Sequence, residues 1–143
     1  MYKRQVLSSA QANGQALRID AVDAAGATST TTSFTAPDVQ PPVAVSNLLV
    51  DAQGLVLTGT GEPASQVTVL DINGASLGTG QVGTDGTFSI TLNSPQIRAE
   101  SLQVIAVDAA GNLSAPVTLT AQDRVAPDAP SDLALSALSL IHI

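Results

Sequence analysis

The six residues Ala-Val-Asp-Ala-Ala-Gly stand twice in this chain, at Ala21–Gly26 and at Ala106–Gly111. Sliding the chain along itself by 85 residues aligns far more than this hexapeptide. Leu17 falls on Leu102, Ser29 on Ser114, Thr35 and Ala36 on Thr120 and Ala121, Asp38 on Asp123, and Pro42 on Pro127. Of the 34 positions from Leu17 to Val50, 15 match their partners in Leu102–Leu135. Self-similarity at one fixed offset is the signature of a tandem array of small modules. A chain of 143 residues holds fewer than two such periods, so one complete module is expected, with partial modules on either side.

Both ends have a composition and a coding pattern of their own. Tyr2–Gln5 can be encoded by TAT AAG AGA CAG, whose reverse complement, CTG TCT CTT ATA, reads Leu-Ser-Leu-Ile. Those are the residues at Leu138–Ile141, and the same inverted sequence continues as CAC ATC, His142 and Ile143. The two tails resemble a translated transposon end read in from each side, and residues 1–5 and 138–143 are left out of the fold argument. The expected division is then 6–38 for the C-terminal part of one repeat, 39–125 for a complete one, and 126–137 for the start of the next.

A formal net charge of −7 argues against nucleic acid, which needs a Lys/Arg footprint to displace counterions. Outside the tails the cations are Arg18, Arg98 and Arg124. Cysteine is absent, which excludes disulfides and thiolate metal sites. No apolar run is long enough to span a bilayer as a helix. Aromatic residues make up 2% of the chain, so any core must be light and aliphatic.

Short alternating runs separated by turn signals predict an all-β protein, an immunoglobulin-like sandwich of about seven strands. The Pro-rich stretch 36–42 leads in. Strands are expected at 46–50, 55–59, 66–72, 75–82 (the weakest), 87–92, 102–108 and 115–121. Asn73-Gly74 predicts a two-residue type I′ hairpin turn, in which both residues need positive φ. Alternation places Phe88, Ile90 and Leu92 on one face, and Leu102, Val104 and Ala106 on another. Residues 6–37 should supply the last two strands of one sandwich and 129–137 the first strand of another. Neither can bury an apolar face alone.

Three stretches carry a family resemblance. They are GTGEPASQVTV at Gly59–Val69, DGTFSITL at Asp85–Leu92 and LQVIAVDAAGNLS at Leu102–Ser114. Together the chain resembles the bacterial Ig-like repeat of large surface adhesins and biofilm-associated proteins. The resemblance implies an extracellular, cell-surface extender stiffened by Ca²⁺ at the joints between modules, with neighbouring repeats of the same chain as its partners. Surface glycans or proteins would then be bound through other parts of the protein. The earlier copy departs from the pattern, with Ala27 where the later one has Asn112.

Strand direction alone groups the acidic residues. Glu62, Asp85, Asp108 and Asn112 fall at the pole where the incoming linker with Asp38 arrives, and Asp51, Asp71, Asp123 and Asp128 at the other. Ca²⁺ takes about six to eight oxygens, and extracellular modules hold it weakly, at about 10⁻⁴–10⁻³ M. The candidate ligands at the joint are Asp38, Asp108 and Asn112, with Asp123 opening the equivalent joint downstream. Each has a plainer reading beside it. Asp108 and Asn112 flank a tight turn, where such side chains bond neighbouring backbone amides. Asp51 and Asp85 read as turn residues, Asp71 as a solvated strand residue, Glu62 as a loop former and Phe88 as core.

Catalysis has little to work with. Outside the tails there is no His, Lys or Cys, so the usual nucleophile–base pairs cannot be assembled. The chain is read as a non-enzyme. The rivals to an extender repeat are a carbohydrate- or protein-binding module and an accessory domain of a secreted hydrolase.

Overall fold

A computed structural model describes residues 7–129 and residue 131. The expected tails 1–5 and 138–143 lie outside the described residues, as does most of 126–137. All regular structure among the described residues is β, in nine strands: β1 Ala16–Ile19, β2 Thr32–Thr35, β3 Ser46–Val50, β4 Val56–Thr60, β5 Gln66–Leu70, β6 Ser76–Gln81, β7 Thr87–Thr91, β8 Ser101–Val107 and β9 Val117–Thr120. Among the described residues no helix is long and apolar enough to cross a membrane.

Strands β3 to β9 form a two-layer sandwich. One sheet has the order β3-β4-β7, the other β6-β5-β8-β9, and every pairing is antiparallel. The inward positions of each strand alternate as the sequence predicts. Leu57, Val67, Val69, Phe88, Ile90, Leu92, Leu102, Val104 and Ala106 close a single core with Val45, Leu77 and Val82. The weak strand β6 passes close to β7 because it carries Gly78 and Gly80. A Cβ on Gly78 would lie 2.7 Å from the Thr91 carbonyl oxygen, and one on Gly80 would lie 2.7 Å from Ile90. Those two glycines allow the edges of the sheets to approach.

Strands β1 and β2 form a separate two-stranded sheet. Its register, Ala16 to Thr35 through Ile19 to Thr32, becomes the β8–β9 register when 85 is added to each number. The bonds around it repeat as well. The Ala21 amide donates to Ser29 Oγ at 2.9 Å and the Ala106 amide to Ser114 Oγ at 2.9 Å. The Ala36 amide donates to the Gln15 carbonyl at 2.9 Å, and the Ala121 amide to that of Glu100 at 2.8 Å. Gln11 Nε2 bonds Ser9 as Gln96 Nε2 bonds Ser94, so the structural repeat reaches upstream of Leu17.

Burial is what separates the two hairpins. Leu92, Leu102 and Val104 are 3%, 0% and 0% exposed, whereas Leu7 and Ile19, at the places of Leu92 and Val104, are 61% and 60% exposed. The earlier hairpin keeps its backbone pattern, and among the described residues no opposing sheet covers its apolar face.

Candidate functional site at the module joint

The acidic residues are used first by the turns. Asp23, Asp51, Asp71 and Asp108 each stand three residues before a glycine of positive φ, respectively Gly26, Gly54, Gly74 and Gly111. In each turn the glycine amide donates back to the aspartate carbonyl at 3.0–3.2 Å. The carboxylate Oδ1 accepts two further backbone amides, for example those of Ala110 and Asn112 on Asp108, both at 2.9 Å. A charged acceptor bonded to two amides orders a tight turn.

Two expectations are corrected by this pattern. Asn73-Gly74 is not a type I′ turn, because Gly74 has φ 83° while Asn73 is not in the positive region. Here Asp71 bonds the amides of Asn73 and Ala75, both at 2.8 Å, and its own amide donates to the Ala75 carbonyl at 2.9 Å. These bonds select a longer hairpin loop with a bulge, and the β5–β6 register shifts between Val69 and Leu70. Asp71 is therefore the organiser of its turn rather than a merely solvated strand residue. Hydrogen bonding holds its carboxyl below the usual carboxylate range, chiefly through the Ala75 amide. The Thr87 amide does the same for Asp85.

Three of the four candidate ligands meet at the incoming pole. The Asn112 side chain donates from Nδ2 to Asp108 Oδ2 at 2.8 Å, to the Gln40 carbonyl at 3.3 Å and to the Asp38 carbonyl at 3.4 Å. The first of these bonds is the main cause that lowers the Asp108 pKa. The Asp38 side chain is not turned to the same point; its Oδ1 accepts the Gln40 amide at 3.1 Å. Asp123 lies at the far pole, where its Oδ1 accepts the Val125 amide at 3.0 Å. Glu62, on the β4–β5 loop, accepts the Val43 amide on Oε2 at 3.1 Å and so ties the linker to the sandwich. Among the described residues no three His, Cys, Asp or Glu side chains come together as a metal-sized group. All three acceptors around Nδ2 are oxygens that cannot donate, so the amide must present its NH₂ to them. As arranged, the three oxygens receive the N–H groups of Asn112.

Residues 41–123 match the bacterial Ig domain, more than half of the chain. The chain belongs to the bacterial Ig domain family. No curated protein matches it. Among solved structures it is similar to one described as a biofilm associated protein, BSP domain, at 22% identity and a TM-score of 0.48, over 79% of this chain and 20% of that one. It is also similar to one described as a protease, at 16% identity and a TM-score of 0.40, over 63% of this chain and 21% of that one. The chain thus spans about a fifth of each, and neither likeness carries a statement about function. The contribution of Asn112 is the part that sequence reasoning left open, and its signal was the change from Ala27 in the earlier copy.

Proposed function

We propose that this chain is an extender segment of a bacterial cell-surface adhesin. In this reading, Ig modules joined end to end hold a binding region away from the cell and so serve adhesion or biofilm formation. One observation carries it: the β1–β2 hairpin repeats the β8–β9 hairpin bond for bond at an offset of 85 residues. Residues 6–38 are then the end of one module, 39–125 the next and 126–137 the start of a third. Repetition of a domain with no catalytic side chains suits a spacer, which gains its function from length. Longer sequence of the gene tests this. Further copies at the same offset are expected, and a neighbouring catalytic domain with no further copies would instead make the module a hydrolase accessory.

Calcium at the joints is the finer form of this reading. It is supported by three oxygens, Asp108 Oδ2 and the Asp38 and Gln40 carbonyls, that lie within 3.4 Å of one point, where Asn112 Nδ2 now sits. A cation there would need the Asn112 side chain to withdraw from that point and turn its amide oxygen toward it as a fourth ligand, with water completing the shell. Thermal melts of the chain with and without Ca²⁺ decide it. A rise in melting temperature with Ca²⁺ that Asp108→Ala abolishes would establish the site, and an unchanged melt would remove it.

A further inference from the structure

We infer that the metal-free joint between modules is held by an amide clasp: Asn112 holds the linker through its N–H groups. The inference stands whether or not the chain serves as an extender.

The linker is fixed on both sides of a three-residue span. On the upstream side the Val39 amide donates to the Ala12 carbonyl at 2.9 Å, Asp38 pairs with Asn13, and Ala36 is buried. On the downstream side the Val43 amide is held by Glu62, and Val45 sits in the core of the sandwich. Gln40, Pro41 and Pro42 lie between. Both prolines have φ fixed by their rings, and each restricts the residue before it to extended backbone. The freedom left in the joint is therefore chiefly at the ψ of Pro42 and the φ of Gln40, and Gln40 is held at its amide by Asp38 and at its carbonyl by Asn112.

Asn112 is suited to this task because its turn aims it. Asp108 Oδ1 fixes the Asn112 backbone amide while Asp108 Oδ2 takes one side-chain hydrogen at 2.8 Å. The second hydrogen is left to be shared by the two linker carbonyls. Those bonds, at 3.3 and 3.4 Å, are long, so the clasp biases the angle between modules rather than locking it. Ala27 stands at the same place in the earlier copy and has no side-chain donor. An array built from both kinds has clasped and unclasped joints. The far pole repeats the receiving half. Asp123 holds the Val125 amide as Asp38 holds that of Gln40, and the Arg124 amide donates to the Ile97 carbonyl at 2.8 Å as that of Val39 does to Ala12. The partner this pole fits is another Ig module with Asn at the position of Asn112.

Backbone nitrogen relaxation on the whole chain tests the clasp, because it reports the tumbling of residues 10–38 and 46–120 separately. In the wild-type chain with chelator the correlation times of the two parts should lie closer together than in the variants. Asn112→Ala should widen the gap between them while the amide shifts of the far pole stay in place, showing that the sandwich remains folded. Asn112→Asp, of nearly the same shape but with no donor, should do the same in chelator. A gap as narrow in either variant as in the wild-type chain, or a wild-type gap that narrows only with Ca²⁺, overturns the proposal.

Discussion

Ser114 Oγ and the Ala106 amide lie 2.9 Å apart inside the sandwich, with Ser114 only 5% exposed, and 85 residues earlier Ser29 and Ala21 make the same bond in solvent. The pair separates what a hydrogen bond contributes from what its surroundings add. Ser114→Ala strands the buried Ala106 amide and should cost about 1–3 kcal/mol, the desolvation cost of an unpaired donor. Ser29→Ala leaves an amide that water can reach and should be close to neutral. Urea denaturation of the two variants beside the wild-type chain measures the difference, and equal losses would refute it.

The glycines of β6 make a second pair of cases. Gly78→Ala drives a methyl to within 2.7 Å of the Thr91 carbonyl oxygen, a backbone atom that cannot step aside. Overpacking of this kind should cost about 1–3 kcal/mol. Gly74→Ala has open space around it and meets only the strain of φ at +83°, which should cost about 1 kcal/mol. The order of the two denaturation midpoints checks the argument, with Gly78→Ala the lower.

Acid should loosen the module through its turns. The carboxyls of Asp71, Asp85 and Asp108 all titrate below 3.8, the ordinary value, because backbone and side-chain donors bond the charged form. With the folded pKa below the unfolded one, the unfolded chain takes up protons first as pH falls. The stabilisation is complete above the ordinary value and is lost as pH drops through the folded values. Melting temperature should therefore be flat down to about pH 5 and fall below about pH 4. Asp71→Asn keeps an acceptor for the Asn73 and Ala75 amides while removing the charge. It should melt near the wild-type temperature at neutral pH and show a shallower acid limb. A limb as steep as that of the wild-type chain would show that Asp71 does not contribute to it.

How legible this was in the sequence depends on the range of the force involved. Strand positions and inward faces follow from alternation, and Phe88, Ile90, Leu102 and Val104 are buried where the pattern puts them. The grouping of Asp38, Asp108 and Asn112 at one pole followed from strand direction alone. The type of the Asn73-Gly74 turn did not, because the deciding group is the Asp71 carboxylate two residues earlier. Nor did the direction in which the Asn112 amide faces, which is set by linker carbonyls more than 70 residues away in the chain. The upstream reach of the repeat was present as Leu7, Ser9 and Gln11 against Leu92, Ser94 and Gln96. Three matches among unlike neighbours gain their weight only when the side-chain bonds are seen to coincide.

The contrast between the two hairpins gives the last prediction. Leu102 has no exposed surface and packs in the core, and its replacement by Ala should cost about 2–5 kcal/mol, the transfer term together with the cavity left behind. Leu17 is the same residue in the same register, paired with Phe34 as Leu102 is with Leu119. Among the described residues its sheet has no second layer, and Phe34 is 55% exposed. Leu17, only half-buried, should therefore lose less on replacement by Ala, about 1 kcal/mol. Residue type and hairpin register are constant in this comparison, and what differs is the surroundings: β8 is flanked by β5 as well as β9 and is covered by the opposing sheet. If Leu17→Ala proved as costly as Leu102→Ala, the face of β1–β2 would have to be covered in solution, and concentration dependence of the loss would show whether a second copy covers it.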